Sequence, residues 1–336
     1  MHQQTRILAI DYSRALAITL VVVGHWQLES QPEWWNHIID FIYTFHMPLF
    51  LAMSGYLYMH TKHKQSYTSF LWKKAMRLLV PYFTTSVIII TLKLISQSHG
   101  AYLPNPVTPL SYLKILYLPE AGYFLWFVWT LWWIFVILPW FKKRVARTIL
   151  FAVTALLTVI PFNTPDMFCL QQTKQMFVFF MVGVMLYDWK QYISIRNNYV
   201  ALLSTALFAT IYWLKLIGWG WLDWMLPFLG VFMVLSVISL AEKHIPTRTS
   251  SVLLTLSSAS YTIYLFHTTF EGFVKSFVVN HALTTTEPSF VFSTLAAITA
   301  GIVCPTILQC YILNRWKLTS FLFGIKYHQT HRQALS

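Results

Sequence analysis

Three ionisable residues lie within one apolar stretch, DYSRALAITLVVVGHW at residues 11–26. A helix turns about 100° per residue, so Arg14 and His25, which are eleven positions apart, share one face at about 16 Å along the axis. Asp11 falls on the same stripe, three residues before Arg14, where the two charges can pair. Ionisable groups within a membrane segment indicate a functional site. The alternative for His25 is a neutral imidazole that is hydrogen-bonded to a neighbouring helix.

The second apolar segment, FIYTFHMPLFLAMSGYL at residues 41–57, adds polar groups at membrane depth. It places His46 and Pro48 in mid-span and Ser54 near the inner end. Proline removes a backbone donor and opens a helix, and the freed groups persist in a membrane only when they are buried in protein or face water. The segment therefore predicts a polar cavity supported by Asp11, His46 and Ser54. The alternative is a simple kink in which His46 satisfies the loosened carbonyl.

The elements that must position these residues are membrane helices. The chain has 336 residues, of which 57% are hydrophobic, 18% aromatic and only 10% charged, which is typical of an integral membrane protein. We therefore predict an all-α, polytopic fold with about ten spans, each of about 20 residues. The apolar runs cover residues 7–26, 36–58, 76–95, 122–141, 148–161, 176–188, 199–217, 223–241, 252–270 and 289–314.

Basic residues predict the orientation, because lysine and arginine accumulate in cytoplasmic loops. The chain has 24 lysine and arginine residues, including Arg14. Of the other 23, eighteen lie on predicted inner segments and five on predicted outer segments. The inner residues are Arg6, Lys62, Lys64, Lys73, Lys74, Arg77, Lys142, Lys143, Arg144, Arg147, Lys190, Arg196, Lys243, Arg248, Arg315, Lys317, Lys326 and Arg332. The outer residues are Lys93, Lys114, Lys174, Lys215 and Lys275. An even number of spans with both termini cytoplasmic follows.

The remaining features predict one membrane domain over residues 1–336, with a short basic tail from about residue 315. The net charge of +13 is explained by cytoplasmic loops beside anionic lipid and requires no nucleic-acid partner. Cys169, Cys304 and Cys310 lack metal-ligand spacing, so we interpret them as packing residues and predict no metal site. The first segment carries charges and lacks a small-residue cleavage site, so it is expected to remain as the first span.

Five stretches together carry a resemblance to a known family. They are the Arg14 and His25 pair, FHMPLFLAMSGYL, KKAMRLLVP at residues 73–81, YFLWFVWTLW at residues 123–132, and SASYTIYLFH at residues 258–267. In these stretches the chain resembles the membrane-bound acyltransferase-3 proteins, which O-acylate sugars of cell-surface glycans. The form FHMPLF is most similar to the branch labelled fucose 4-O-acetylase.

The resemblance implies an O-acetyltransferase, in the class that transfers groups other than amino-acyl groups. Its donor would be cytoplasmic acetyl-CoA, and its acceptor a hydroxyl of a cell-surface polysaccharide or lipid-linked sugar. It implies a multi-pass protein of the bacterial inner membrane whose partners are acetyl-CoA, the glycan and membrane lipids. No permanently bound cofactor is expected.

Acetyl transfer to a hydroxyl requires a base, stabilisation of an oxyanion, and a site for the anionic end of acyl-CoA. His25 fits the base, because imidazole titrates near neutral pH, or it could form an acetyl-histidine intermediate. Arg14 is too far along an unbroken helix to hold the same oxyanion, so it is expected to anchor the coenzyme arm. Lys73, Lys74 and Arg77 would bind the coenzyme phosphates, and their alternative is positive-inside anchoring.

Two further sets of residues are weaker candidates. Tyr264 and His267 share a helix face and either support the polar cavity by donating to the transition state or serve as interfacial aromatics and caps. Glu120 and Trp126 lie among aromatic residues at a predicted outer end, where a glycan hydroxyl could be held. Most other tryptophans and tyrosines are expected in interfacial belts.

A competing class is a transporter or flippase of a lipid-linked glycan, which would also need about ten helices, buried charges and broken helices. The absence of a detectable repeat pair in the sequence counts against it. A third class, an assembly protein without chemistry, does not explain Arg14, His25 and His46 inside the membrane.

Overall fold

The computed structural model of the protein describes residues 7–61, 65–100, 103, 105–192, 194–281, 286–325 and 327. Thirteen α-helices and their connections make up this part of the chain, which contains no β-strand, so the all-α prediction is confirmed. The helices are α1 Leu8–His25, α2 Glu33–Tyr43, α3 His46–His60, α4 Tyr67–Ser98, α5 Ser111–Lys114, α6 Trp126–Ile137, α7 Arg144–Val159, α8 Leu170–Asp188, α9 Asn198–Leu216, α10 Leu226–Ala241, α11 Thr247–Asn280, α12 Glu287–Leu308 and α13 Lys317–Leu322.

A helix occupies each of the ten predicted apolar runs, and seven helical segments of the described residues are long and apolar enough to cross a membrane. These segments are Leu8–His25, Glu33–His60, Tyr67–Ser98, Tyr123–Trp140, Asn198–Leu216, Gly220–His244 and Glu287–Leu313. The other three predicted runs lie in α7, α8 and α11. The protein is therefore a helical, multi-pass membrane protein. Five residues used in the charge comparison lie outside the described residues, namely Arg6, Lys62, Lys64, Lys326 and Arg332.

The chain divides into two compact units. The first takes its described residues from Met1–His63, Phe141–Ile160 and Met176–Ser260. The second takes them from Lys64–Trp140, Pro161–Gln175 and Tyr261–Ser336. The prediction of one membrane domain remains a prediction.

In the first unit, the second predicted span is two helices rather than one kinked helix. α2 ends at Tyr43 and α3 begins at His46. Pro48 lies in the first turn of α3, where its missing N–H would have no helical partner in any case. The His46 Nδ1 atom lies 2.8 Å from the carbonyl oxygen of Ile42, so the histidine donates to a backbone carbonyl at the break. This contact is the alternative that the sequence left open for His46.

Two glycines let α3 and α8 approach each other at backbone distance within the first unit. A Cβ atom added to Gly55 would lie closer than 3.0 Å to the carbonyl oxygen of Phe180. A Cβ atom added to Gly183 would likewise lie closer than 3.0 Å to the carbonyl oxygen of Ala52. Small residues at such crossings allow close helix packing in membranes. The polar segment that contains Ser54 is therefore fixed against α8.

A buried ion pair joins the start of α7 to the end of α8 in the same unit. Arg147 Nε lies 2.6 Å from Asp188 Oδ2, and Arg147 Nη2 lies 2.8 Å from Asp188 Oδ1. The two residues are only 6% and 9% exposed. Arg147 Nη1 also donates to the carbonyl oxygen of Lys142 at 2.5 Å. The cytoplasmic location of Arg147 stays a prediction, and the structure adds that its side chain is a buried connection between two helices.

In the second unit, α4 is fixed by its tyrosines. The Tyr82 hydroxyl lies 2.9 Å from the carbonyl oxygen of Ile115 and 2.7 Å from that of Leu118. The Tyr67 hydroxyl donates to the carbonyl oxygen of Val136 at 3.0 Å. The Tyr82 contacts connect the middle of α4 to residues 115–118, and the Tyr67 contact holds the beginning of α4 beside the end of α6.

Candidate active site

The polar stripe on α1 begins with a network of three side chains in the first unit. Asp11 Oδ1 accepts a hydrogen bond from Ser257 Oγ at 2.8 Å and lies 3.6 Å from Arg14 Nη1. Asp11 is 9% exposed, whereas 28% of the Arg14 side chain remains accessible. The predicted Asp11–Arg14 pair is therefore present, and a serine that lies 246 positions from Asp11 completes it.

The other end of the stripe is the last residue of α1, His25, which is half-buried. The preceding residue is held by two side chains, because the Tyr43 hydroxyl and the Gln27 Nε2 atom both donate to the carbonyl oxygen of Gly24, each at 2.9 Å. A Cβ on Gly24 would lie 2.8 Å from a ring carbon of Tyr43, so this approach requires glycine. These contacts fix the backbone on which the His25 imidazole is carried.

Tyr43 lies between two imidazoles. Its ring centroid is 6.4 Å from that of His25, edge to face, and 5.0 Å from that of His46. Because His46 Nδ1 donates to the carbonyl oxygen of Ile42, its neutral form carries the lone pair on Nε2. The structure thus groups His25, Tyr43 and His46 at the break between α2 and α3.

Arg14 does not belong to this histidine group. α1 is a continuous helix over Leu8–His25, so the spacing of about 16 Å between Arg14 and His25 holds. Both residues could contact one oxyanion only if the helix were broken between them, and α1 has no such break. The stripe therefore has two separate polar positions, one at each end of α1. Ser54, the other residue predicted on this side, is half-buried in α3.

The three predicted coenzyme-binding cations lie in the first turns of α4, in the second unit, but they do not share one environment. Lys73 and Arg77, one turn apart, are exposed, and Lys73 Nζ donates to Gln65 Oε1 at 3.0 Å. Lys74 is half-buried, with its Nζ 4.0 Å from the ring centroid of Phe135, which is a cation–π contact. The exposed face of α4 therefore presents Lys73 and Arg77 rather than all three cations.

The acceptor-side candidates also lie in the second unit. Glu120 Oε1 is 3.4 Å from Lys114 Nζ and accepts from Ser111 Oγ at 3.1 Å, so its carboxylate is already paired. Trp126, the first residue of α6, is 9% exposed and packs edge to face on Phe127. Neither observation tests acceptor binding.

Tyr264 and His267 are buried in the second unit and use their hydrogens on backbone carbonyls. The Tyr264 hydroxyl donates to the carbonyl oxygen of Phe124 at 2.8 Å. His267 Nδ1 lies 3.0 Å and 2.9 Å from the carbonyl oxygens of Ile263 and Tyr264. The Phe124 ring packs against both side chains. These contacts connect α11 to the segment that precedes α6, and a role of either residue in the polar cavity or the transition state stays a prediction.

One polar residue of this helix was missed by the sequence reasoning. Glu271 follows His267 by four residues and is 4% exposed, although its predicted span ended at residue 270. The signal was present in the sequence, since a carboxylate one helical turn after a histidine shares its face. The predicted apolar run ends at residue 270 and therefore excludes Glu271.

The comparison with known families decides the classification. A family model described as an acyltransferase domain, that of the acyltransferase-3 proteins, matches residues 7–314. The chain belongs to the acyltransferase-3 family. The predicted resemblance is confirmed, and the match includes every candidate site residue named above.

Two curated relatives of this acyltransferase-3 protein are similar over part of their length. Nodulation protein NolL of Mesorhizobium japonicum is 37% identical over 93 residues, which are 26% of this chain and 25% of the relative. Nodulation protein NolL of Sinorhizobium fredii is 35% identical over 99 residues, 28% of this chain and 27% of the relative. The chain therefore spans about a quarter of the length of the curated relatives it matches. No solved structure matches the chain.

Within this family framework, the predicted residues form separate groups. The first unit brings Asp11 and Arg14 together, and it separately brings His25 near His46 through Tyr43. The second unit holds the α4 cations, the paired Glu120, and the Tyr264–His267 cluster. Among the described residues, no group of three or more His, Cys, Asp or Glu side chains could hold a metal ion.

Proposed function

We propose that this acyltransferase-3 protein moves an acetyl group from cytoplasmic acetyl-CoA to a hydroxyl of a cell-surface polysaccharide or lipid-linked sugar. The observation that carries the proposal is the family match over residues 7–314, in a chain whose first helix ends on His25, next to a carbonyl group that Tyr43 and Gln27 hold. The fucose-acetylating branch of the family is the nearest guide to the acceptor. A transporter or flippase of a lipid-linked glycan remains the competing proposal.

The proposed chemistry assigns the proton to His25. The acceptor hydroxyl oxygen attacks the thioester carbonyl carbon while the imidazole takes the hydroxyl proton. The carbon–sulfur bond then breaks, and the departing thiolate of coenzyme A receives that proton. His25 suits this task because it is the last residue of α1, and the partial negative charge at the C-terminus of a helix favours the imidazolium that forms.

Arg14 is proposed to act on the donor at a distance from the reacting carbon. Acetyl-CoA is long, and an accessible guanidinium about 16 Å from His25 can contact its arm or a phosphate while the acetyl group is at the imidazole. The Asp11 carboxylate and the Ser257 hydroxyl would hold Arg14 in that position, since Asp11 contacts both side chains. The supporting roles of His46, Ser54, Tyr264 and His267 belong to the same proposal.

The proposal is tested with purified protein, labelled acetyl-CoA and a crude glycan acceptor. Label that moves from the coenzyme to glycan indicates the transferase. Movement of unmodified lipid-linked glycan across a vesicle membrane, without label transfer, would instead establish the flippase.

We further propose ten spans in the bacterial inner membrane, with both termini cytoplasmic. The expected result is that reporters fused near Lys64, Lys143, Lys243 and the carboxyl terminus all report a cytoplasmic location, because basic loops are retained on that side. Reporters after Lys114 and Lys215 provide the external reference. An external reporter at Lys64 would overturn this layout.

The exposed cations of α4 are proposed to bind the phosphates of acetyl-CoA. Replacing Lys73, Lys74 and Arg77 with alanine is expected to raise the KM for acetyl-CoA about tenfold or more, because one charge-assisted contact contributes about 1.5 to 3 kcal/mol. The KM for the acceptor should change much less. Initial rates at varied donor and acceptor concentrations measure both constants.

The structure supplies a matched comparison for this experiment. The double variant Lys73→Ala/Arg77→Ala should show most of the rise in the KM for acetyl-CoA, since these two side chains are exposed. Lys74→Ala should raise this KM less, because Lys74 is half-buried and contacts Phe135. If donor KM is unchanged in the triple variant while insertion into the membrane fails, the cations serve positive-inside anchoring.

A further inference from the structure

Glu271, in the part of α11 that belongs to the second unit, is a buried carboxyl group with an unsatisfied oxygen. The residue is 4% exposed, and its Oε1 atom has no hydrogen-bond partner within the described structure. The other carboxyl groups that are buried to this degree have partners, as Asp11 does in Ser257 and Asp188 does in Arg147. Of the three acidic residues that are buried in the described part of the chain, Asp11, Asp188 and Glu271, only Glu271 has an oxygen without a partner, whereas the other two acidic residues with such an oxygen, Asp223 and Glu242, are partly exposed.

Such a group is unfavourable for folding. Removing a carboxyl oxygen from water without a replacement donor destabilises the folded protein, and a native structure that retains one requires an explanation. Ionisable residues in membrane helices mark ligand or ion pathways more often than packing positions. The simplest explanation is a ligand that donates the missing hydrogen bond.

The surroundings of Glu271 define the class of this ligand. His267 lies one turn earlier on the same face and Tyr264 one turn before that, and both place their hydrogens on backbone carbonyls. These two hydrogens are therefore not available to Glu271 Oε1, and the hydroxyl of a ligand could supply the missing donor. The Phe124 ring packs against Tyr264 and His267, so these polar residues lie beside an aromatic side chain. Hydroxyl donors combined with an apolar ring face are properties of a sugar.

We propose that Glu271 binds a hydroxyl group of the sugar acceptor, with its Oε1 atom accepting the hydrogen bond. This inference rests on the proposed acetyl transfer and adds to it a specificity residue for the acceptor. A site built around a buried polar group rejects an analogue that lacks the matching hydroxyl, because the group is then left unpaired. Glu271 thus selects the acceptor and takes no proton from the reacting hydroxyl.

The experiment compares Glu271→Leu and Glu271→Gln with the wild type and with Glu287→Gln, which changes an exposed glutamate at the start of α12. The acceptors are a crude cell-envelope glycan fraction and methyl fucoside, and the donor is labelled acetyl-CoA. Glu271→Leu is expected to raise the acceptor KM about tenfold, since the sugar hydroxyl would be left without its hydrogen-bond partner in a buried site. Glu271→Gln keeps an oxygen that can accept a hydrogen bond, so its acceptor KM should lie between those of the wild type and Glu271→Leu. The donor KM and the Glu287→Gln control should equal the wild-type values.

Thermal unfolding in detergent separates this role from a structural one. Glu271→Leu should unfold at the wild-type temperature or above it, because the substitution removes an unsatisfied buried carboxyl group. A lower unfolding temperature for both Glu271 variants, together with an unchanged acceptor KM in Glu271→Gln, would overturn the proposal in favour of a structural role.

The same variants distinguish the failure of this inference from the failure of the proposed function. If the wild type transfers label and Glu271→Leu keeps its acceptor KM, acetyl transfer stands and the role of Glu271 is refuted. If the wild type transfers no label, the proposed function fails. The role of Glu271 is then tested directly by the rise in unfolding temperature that the glycan causes in the absence of acetyl-CoA. Equal stabilisation of the wild type and Glu271→Leu by the glycan would refute the sugar site.

Discussion

Replacing His25 with alanine is expected to lower the rate of acetyl transfer by about 100- to 10,000-fold, the contribution typical of a general base. The variant should still fold and insert, because alanine is readily accepted in a membrane helix and the Tyr43 and Gln27 bonds are made to the backbone of Gly24. It should also bind acetyl-CoA, because the proposed donor contacts lie elsewhere. Label transfer by purified protein and acetylation of the cell-surface glycan measure the loss.

Two variants sharpen this result. Arg14→Ala should lose donor binding as well as activity, since Arg14 is proposed to contact the coenzyme arm. His99→Ala removes an exposed imidazole at the end of α4 and should retain activity. Near-normal acetylation by His25→Ala would refute the catalytic assignment and leave the histidine a packing role.

Replacing Arg147 with alanine is expected to destabilise the protein by about 3 to 5 kcal/mol, because it leaves the buried Asp188 carboxylate without its partner. Asp188→Ala should have a similar effect, since it leaves a buried guanidinium. The double variant Arg147→Met/Asp188→Leu should recover most of the loss, as no charge then remains buried. Unfolding in detergent, followed by heat or denaturant, measures the differences.

Arg144 provides the matched control, because it is an exposed arginine on the same helix. Arg144→Ala should change stability by less than about 0.5 kcal/mol, as surface substitutions usually do. Equal stability of Arg147→Ala and Arg144→Ala would show that the buried pair contributes nothing to the fold.

The sequence by itself determined the helices and the local pairs. Apolar composition and run length predict membrane helices because an unpaired backbone is not tolerated in lipid, and a helix occurs at every predicted run. The Asp11–Arg14 contact was predictable because residues three apart on a helix are neighbours. The contact of His46 with the carbonyl oxygen of Ile42 follows from the same local geometry.

Only the tertiary structure decided which distant side chains meet. Ser257 completes the Asp11 network from 246 positions away, and Asp188 neutralises Arg147 from 41 positions away. Lys74 differs from Lys73 because Phe135, from another helix, lies beside it. The unsatisfied oxygen of Glu271 is likewise a property of packing, since sequence spacing shows which face a residue shares and not what covers it. Helix periodicity operates over a few residues, whereas burial and pairing depend on the whole fold.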